Sequence, residues 1–281
     1  VLNEGKAAEW SEKIPENEWR PVGDRFTQFR GTFDGQGHTI SGIYIVERDG
    51  NQVYTGLFGV TGQEAVIKNL RLTNSYFERT NQYQNNNFVG SIVGDVRGKV
   101  ETVYSDAIIV SDGKQVGGLF GRLNSVKVGS DHVASSVNNC WFDGRIIMLG
   151  EEGRFAGGIV GTADSLYVNA CINNATITGS SLMVNGGTYT IENEENGSVT
   201  IDVGVGTGGI AGGSGACYII NSINNAKVTG DEGVGGILGS TRAKGGKNEG
   251  DEAYLRDYAM IKYCGNTADI DGNIFVGGIC G

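Results

Sequence analysis

The side chains best suited to ligand binding share one position in successive copies of an internal repeat. Arg71, Tyr104 and Trp141 occupy this position in turn. If the position faces outward, such flat groups can stack on sugar rings or on one another. The later copies carry Ile172 and Ile223 there, which favours a partly buried corner. The sequence leaves open whether this position is a sugar-binding platform or a packing position.

Two carboxylates align two residues further along the same repeat. Asp106 and Asp143 fall in neighbouring copies, whereas Thr73, Asn174 and the later copies supply no third acid. Paired acids on adjacent rungs are typical of β-helical polysaccharide lyases, which bind calcium through acids and use a basic residue to abstract a proton. The alternative for this pair is that both are ordinary surface carboxylates.

The two histidines give little support for catalysis. His38 lies in an Asp34-Gly-Gln-Gly-His turn, where the glycines suit the turn and the polar side chains suit hydrogen bonding to backbone. His132 falls in an inserted loop at residues 124–136. We therefore predict no catalytic residue, no metal site and no cofactor in this segment.

Glycine is the feature that identifies the repeat, because 48 of 281 residues are glycine against a usual share of about 7 %. A Gly-apolar-x-Gly motif recurs seven times, once with Ser91 in the first place. Such glycines allow sharp turns with positive φ and close approach of consecutive coils. The motif glycines are Gly56, Gly59, Gly94, Gly118, Gly121, Gly158, Gly161, Gly209, Gly212, Gly236, Gly239, Gly278 and Gly281.

A second signature alternates with the first and completes a basic coil of about 27 residues. Short β-rich pieces recur in each coil without helical periodicity, which predicts an all-β parallel β-helix. One aligned position predicts a small or apolar interior ladder, comprising Leu70, Val103, Cys140, Cys171, Ser222 and Cys264. Another predicts an asparagine ladder whose amides bond from rung to rung, comprising Asn173, Asn224 and Asn266.

The five cysteines are an odd number at low density, which argues against a disulfide framework. We expect Cys140 and Cys171 to pack as core residues. A bridge between them on neighbouring rungs is the alternative.

The net charge of −10 excludes a basic face for nucleic acid and disfavours anionic membranes. No apolar stretch reaches the roughly 18 residues that would span a bilayer, and the first ten residues lack the features of a signal peptide. We expect no membrane insertion in this segment.

Two segments together with the repeated motif carry a family resemblance. Residues 19–23 read Trp-Arg-Pro-Val-Gly, and residues 31–45 read Gly-Thr-Phe-Asp-Gly-Gln-Gly-His-Thr-Ile-Ser-Gly-Ile-Tyr-Ile. From there to Gly281 the chain resembles the GLUG-repeat proteins, chiefly bacterial, whose repeat also occurs in immunoglobulin A-specific metallopeptidases. The resemblance implies a right-handed β-helix in a secreted or cell-surface protein that functions in adhesion or in presenting another domain. It does not imply peptidase activity here, because no His-Glu-x-x-His zinc motif is present.

We expect an N-terminal cap or lead-in at residues 1–24 and a solenoid of eight or nine coils at residues 25–281. Because the last motif copy stops at Gly281, where a terminal cap would be needed, we expect a truncated solenoid. A hairpin is predicted at residues 188–202 around Asn196-Gly197. The insertions at residues 77–87, which include Tyr83, and at 240–260 are candidate recognition loops.

Three functions fit these features. The first is a non-catalytic, monomeric surface module that acts as an adhesin or scaffold and binds host glycoprotein or glycan. The second is a substrate-positioning domain of an immunoglobulin A-type peptidase. The third is a lyase-like carbohydrate enzyme that uses Asp106 and Asp143.

Overall fold

A computed structural model describes most of the chain. The described residues are 1–48, 53–80, 87–128, 131–133, 135–149, 155–164, 166–179, 187–193, 197–203, 206–215, 217–241 and 259–281. They are almost entirely strands and turns, with a single 3-10 helix at Ala7–Glu9. None of the helices in these ranges is long and apolar enough to cross a membrane.

The strands stack in parallel into four sheets, and each coil adds a rung to three or four of them. Sheet 1 contains Thr32–Asp34, Thr39–Ser41, Val66–Thr73, Lys99–Ser105, Ser136–Asn138, Trp141–Phe142, Leu166–Asn169, Ile172–Asn173, Cys217–Ile220, Ile223–Asn224, Met260–Lys262 and Gly265–Asn266. Sheet 2 contains Tyr44–Glu47, Tyr76–Arg79, Ile108–Ser111, Arg145–Met148, Thr176–Thr178, Val228–Thr229 and Ile270–Asp271. Sheet 3 contains Tyr54–Thr55, Phe88–Val89, Gln115–Gly117, Phe155–Gly157, Gly206–Gly208, Glu232–Gly235 and Ile274–Gly277. Sheet 4 contains Phe58–Val60, Val93–Val96, Phe120–Asn124, Val160–Asp164, Ala211–Ser214 and Leu238–Thr241. The predicted parallel β-helix is confirmed.

The described strands form seven coils, fewer than the eight or nine expected. The coils span residues 32–60, 66–96, 99–124, 136–164, 166–214, 217–241 and 260–277. Each Gly-apolar-x-Gly copy marks the corner between sheets 3 and 4 of one coil. The lead-in adds only a partial rung ahead of coil 1, through single parallel bridges of Val22 with Phe58 and of Phe29 with Thr61. The hairpin of Gly187–Asn193 and Gly197–Val203 uses chain length without adding a rung.

Sheet 1 bends at one residue per coil, and that residue has a left-handed backbone conformation although it is not glycine. The bend residues of coils 2 to 7 have φ values between 51° and 56° and are Asn69, Thr102, Asn139, Ala170, Asn221 and Tyr263. Asparagine tolerates this region better than most residues. The bend divides the outward face of sheet 1 into two strips of side chains.

The motif glycines serve close approach of the coils, and none of them has a positive φ. A Cβ added to Gly209 would collide with the carbonyl oxygen of Gly236 and the side chain of Asn224, both in the next coil. A Cβ added to Gly158 would likewise collide with the carbonyl oxygen of Gly209 and the side chain of Asn173 in the next coil. Close approach of consecutive coils, rather than a turn with positive φ, therefore accounts for the glycines of the repeated motif.

The predicted interior ladder is confirmed, since its members in coils 2 to 6 are buried and Cys264 in coil 7 is half-buried. All five cysteines are free, so the Cys140–Cys171 bridge is not formed. Each of these two thiols instead donates to the backbone carbonyl two residues earlier in the chain, at Asn138 and Asn169. Burial raises the pKa of Cys140 well above its ordinary value.

The predicted asparagine ladder is also confirmed and lies inside the solenoid. The Asn173 amide donates to Asn224 Oδ1 at 2.7 Å, and Asn224 donates to Asn266 Oδ1 at 2.7 Å. Asn224 also donates to the carbonyl of Ala226, two residues along its own turn. Because buried polar groups need partners, the matched amides on three rungs satisfy one another.

Two peripheral hairpins and the lead-in complete the described structure. Gly187–Asn193 pairs antiparallel with Gly197–Val203, as predicted for this insertion. A second antiparallel pair, Val126–Val128 with Asp131–Val133, lies where only a loop was expected. In the lead-in, Trp10 is buried and packs edge-on against Tyr44 on the outer side of sheet 2.

Candidate functional site

Three of the four predicted ligand-binding residues lie together on the outward face of sheet 1. Parallel pairing places Tyr104 opposite Arg71 on one side and Trp141 on the other, in consecutive coils. Arg71 is exposed, while Tyr104 and Trp141 are half-buried. The position points outward because the residues on either side of it, such as Val103 and Ser105, are buried. Tyr83 lies outside the described residues.

Arg71 and Tyr104 stack on each other. The guanidinium carbon of Arg71 lies 4.0 Å from the centre of the Tyr104 ring, which is a cation–π contact. Burial, together with the charge of Asp143 and a hydrogen bond with it, raises the pKa of Tyr104 to about 12. Tyr104 therefore remains a neutral hydrogen-bonding group at physiological pH.

Asp106 and Asp143 occupy adjacent rungs beside this aromatic position. An oxygen of Asp106 accepts a hydrogen bond from the backbone N–H of Asn74 at 2.7 Å. Burial raises the pKa of Asp106, and the Asn74 hydrogen bond and the charge of Arg71 oppose that rise. Asp143 is exposed and accepts a hydrogen bond from the Asn174 amide at 2.7 Å. Asp106 is thus held by the Asn74 N–H, and Asp143 is held by the Asn174 amide and by Tyr104. Each carboxylate keeps further lone pairs for a ligand.

These five side chains form one patch, here called the sheet-1 patch: Arg71, Tyr104, Asp106, Trp141 and Asp143. It combines a stacked cation, a phenol, an indole and two carboxylates on three consecutive rungs. Aromatic faces bind the apolar faces of sugar rings, and carboxylates accept hydrogen bonds from hydroxyl groups. The arrangement can hold a polyhydroxylated ligand.

Two outer amide ladders were missed at the sequence level. In the first, Asn169 donates to Asn138 at 2.8 Å and Asn221 donates to Asn169 at 3.0 Å. In the second, Asn225 donates to the Asn174 oxygen at 2.9 Å. The recurring Asn-Asn pairs of the repeat could have indicated the second ladder. In the first ladder, Asn138 and Asn169 come directly before a bend residue, whereas Asn221 is itself a bend residue. The three asparagines therefore do not share one aligned position, and the alignment alone does not reveal this ladder.

An outward apolar stripe lies between these ladders. Trp141 pairs with Ile172, and Ile172 pairs with Ile223, so the three side chains follow one another along the solenoid. Trp141 and Ile172 are half-buried and Ile223 is 39 % exposed. The isoleucines thus face outward and continue the position that Trp141 occupies.

The other candidate groups lie elsewhere. His38 is exposed in the first coil, where Asp34 accepts hydrogen bonds from the Gln36 N–H and the Asn69 amide. Asp95 is buried and paired with Arg97 and Arg122. Within the described ranges, no group of three or more His, Cys, Asp or Glu side chains is arranged to hold a metal ion.

Two curated proteins share sequence with part of the chain. A candidate Gly-rich membrane protein of Evansella cellulosilytica is 36 % identical over 85 residues, which is 30 % of this chain and 9 % of that protein. Halomucin of Haloquadratum walsbyi is 35 % identical over 99 residues, which is 35 % of this chain and 1 % of halomucin. The chain thus spans less than a tenth of the curated relatives it matches. No protein-family model matches, so the GLUG resemblance stays a prediction.

Two solved structures share the fold. An IgA1 protease superposes with a TM-score of 0.55 and 16 % identity, covering 95 % of this chain and 19 % of the protease. A candidate immunoglobulin A1 protease from Bacteroides ovatus superposes with a TM-score of 0.57 and 19 % identity, covering 92 % of this chain and 67 % of that chain. At such identities the likeness establishes the parallel β-helix fold and leaves function to be argued from the site.

Proposed function

We propose that this segment is a non-catalytic binding module of a secreted or cell-surface protein, and that its sheet-1 patch binds glycans or glycoproteins. The observation that carries the proposal is the in-register placement of Arg71, Tyr104 and Trp141 on an outward face, with Asp106 and Asp143 beside them. Binding groups on a rigid scaffold lose little conformational entropy when a ligand binds.

The ligand contacts follow from the chemistry of the patch. The indole of Trp141 provides the largest apolar surface, and the carboxylate of Asp143 accepts hydroxyl protons next to it. Arg71 holds the ring of Tyr104 in place through the 4.0 Å contact. The net charge of −10 opposes strongly anionic ligands at long range.

The test is binding of the purified segment to a panel of neutral and sialylated glycans and host glycoproteins. Trp141→Ala is expected to weaken binding about tenfold or more, since it removes a large apolar contact worth about 1.5–3 kcal/mol. Tyr263→Ala is the control, because Tyr263 is an aromatic residue 74 % exposed at the bend of coil 7. Equal effects of the two substitutions, or hydrolysis of a glycan or peptide by the segment alone, would contradict the proposal.

A second candidate function is a substrate-positioning domain of an immunoglobulin A-type peptidase. It is favoured by the two β-helical neighbours, one of which is an IgA1 protease of which the superposed region covers 19 %. This function requires a His-Glu-x-x-His zinc motif elsewhere in the full-length protein.

The test of the second candidate uses the full-length protein with and without residues 25–281. Deletion should lower kcat/KM for immunoglobulin A and leave hydrolysis of a short peptide unchanged. A full-length sequence without the zinc motif, or equal loss on both substrates, would exclude a positioning role.

A further inference from the structure

We infer that the ligand is a neutral, extended β-linked glycan chain that lies along the solenoid axis over coils 3 to 6. This inference rests on the proposed function and extends its site to side chains beyond the sheet-1 patch. It adds the apolar stripe of Trp141, Ile172 and Ile223 and the two outer amide ladders that flank it.

The stripe supplies an apolar surface with the repeat of a sugar chain. Consecutive rungs of a parallel sheet lie about 4.8 Å apart, which is close to the length of one pyranose unit in an extended chain. Trp141, Ile172 and Ile223 stand on successive rungs. Each can therefore meet the apolar face of one successive sugar. In coil 7 the position is Gly265, so the stripe ends there.

The flanking ladders supply hydrogen-bond donors with the same repeat. Asn174 donates one N–H to Asp143 and accepts from Asn225 through its oxygen. Asn169 has the same arrangement with Asn138 and Asn221. Because a primary amide has two N–H donors, each of these asparagines keeps one N–H for an outside acceptor. Donors at the rung spacing on both sides of an apolar stripe match the hydroxyl-bearing edges of an extended sugar chain.

The charge of the site favours a neutral chain. The ladder residues are amides with one carboxylate, Asp143, and none of them is basic. The basic group of the patch, Arg71, already stacks on Tyr104. A chain of acidic sugars would face Asp143 and a net charge of −10. The described basic residues of coils 4 to 6, Arg145 and Lys227, belong to sheet 2 or directly precede its strand, and Lys227 already pairs with Asp271.

The test is calorimetric titration of the segment with β-1,4-linked glucose oligomers of one to six units. The expected result is an affinity that rises with each added unit up to four and then levels, since Tyr104, Trp141, Ile172 and Ile223 occupy four rungs. Oligogalacturonates of equal length, which carry a carboxylate on each unit, are expected to bind more weakly.

The decisive variant is Ile223→Ser, which is expected to weaken binding of the tetramer about tenfold. Ile274→Ser is the matched control, because Ile274 is 40 % exposed on sheet 3 and Ile223 is 39 % exposed on sheet 1. Urea midpoints of the two variants verify that both are folded.

Three results would overturn the inference: no binding of any oligomer, an affinity independent of length, or equal effects of Ile223→Ser and Ile274→Ser. The proposed function is separable from it. If Trp141→Ala abolishes binding of a glycoprotein while Ile223→Ser does not, the patch is a binding site and the extended chain is excluded. If Trp141→Ala leaves the affinity for every ligand unchanged, both the proposed function and the inference of an extended chain are contradicted.

Discussion

Coils 2 to 4 and coils 5 to 7 build the same two positions of sheet 1 in different ways. The inward position carries Leu72, Ser105 and Phe142 in the earlier coils, and asparagine in every later coil. The outward position carries Arg71, Tyr104 and Trp141 in the earlier coils, and Ile172, Ile223 and Gly265 in the later ones. The side chains at these two positions thus differ from rung to rung in coils 2 to 4, whereas asparagine recurs in coils 5 to 7 and isoleucine in coils 5 and 6.

The comparison separates residues that build the solenoid from residues that can bind. A hydrogen-bonded ladder needs the same side chain on adjacent rungs, because each amide satisfies the next. Variation at the inward position is possible where apolar packing replaces the ladder, as at Phe142. On the outward face no such pairing is needed, so differences from coil to coil can serve a ligand.

The largest effect is expected from Asn224→Ala, in the middle of the inner ladder. The substitution removes one hydrogen bond from Asn173 and one from Asn266. It also removes both hydrogen bonds between the Asn224 side chain and the backbone of Ala226. At about 1–3 kcal/mol for each buried unsatisfied group, the free energy of unfolding should fall by about 4 kcal/mol. Asn225→Ala, next along the chain and exposed, should cost under about 1 kcal/mol. Equal urea midpoints for the two variants would contradict the claim that the buried inner ladder stabilises the fold more than an exposed asparagine does.

The next effect is expected from Gly209→Ala. The added Cβ meets the Gly236 carbonyl and the Asn224 side chain in the next coil, and overpacking of this kind costs about 3 kcal/mol. Gly265→Ala is the control, since nothing lies within 4 Å of a Cβ built there and its φ is not positive. A Gly209→Ala variant as stable as the control would contradict the close-approach explanation of the motif.

The smallest effect concerns pH and lies in the earlier coils. Burial raises the pKa of Asp106 above its ordinary 3.8, so the folded state holds this proton more tightly than the unfolded chain. Its contribution to stability is therefore fully present below 3.8 and is lost as pH rises through the folded-state pKa.

Asp106→Asn removes this titration and keeps an oxygen that can accept the Asn74 N–H. Between pH 3.5 and pH 7, the change in urea midpoint should be more positive for this variant than for the parent protein, because the variant lacks the loss of stability caused by Asp106. A less positive change in the variant would mean that the charged carboxylate stabilises the fold.

Much of the fold could be predicted from the sequence. The recurring glycines and the aligned Cys, Ser and Asn positions indicated the solenoid and both interior ladders, because a parallel β-helix requires equivalent residues at equal intervals. The bend residues were harder to predict, since Thr102, Ala170 and Tyr263 do not favour a positive φ and only the register of the coils imposes it.

The candidate site could be predicted only in part. The alignment brought Arg71, Tyr104 and Trp141 to one position, but whether that position faces outward depends on the bend two residues earlier. The ladder from Asn138 to Asn221 joins two different aligned positions, so only the three-dimensional packing of the bend brings its amides together.

The most direct test of the account is tryptophan fluorescence during titration with a glycan that the segment binds. Trp10 is buried and Trp19 donates to the Leu57 carbonyl, whereas Trp141 is half-buried on the outward face of sheet 1. The account predicts a shift to shorter wavelength on binding that Trp141→Ala abolishes together with the affinity. Binding that leaves the spectrum unchanged, or that survives in Trp141→Ala with full affinity, would place the site elsewhere on the solenoid.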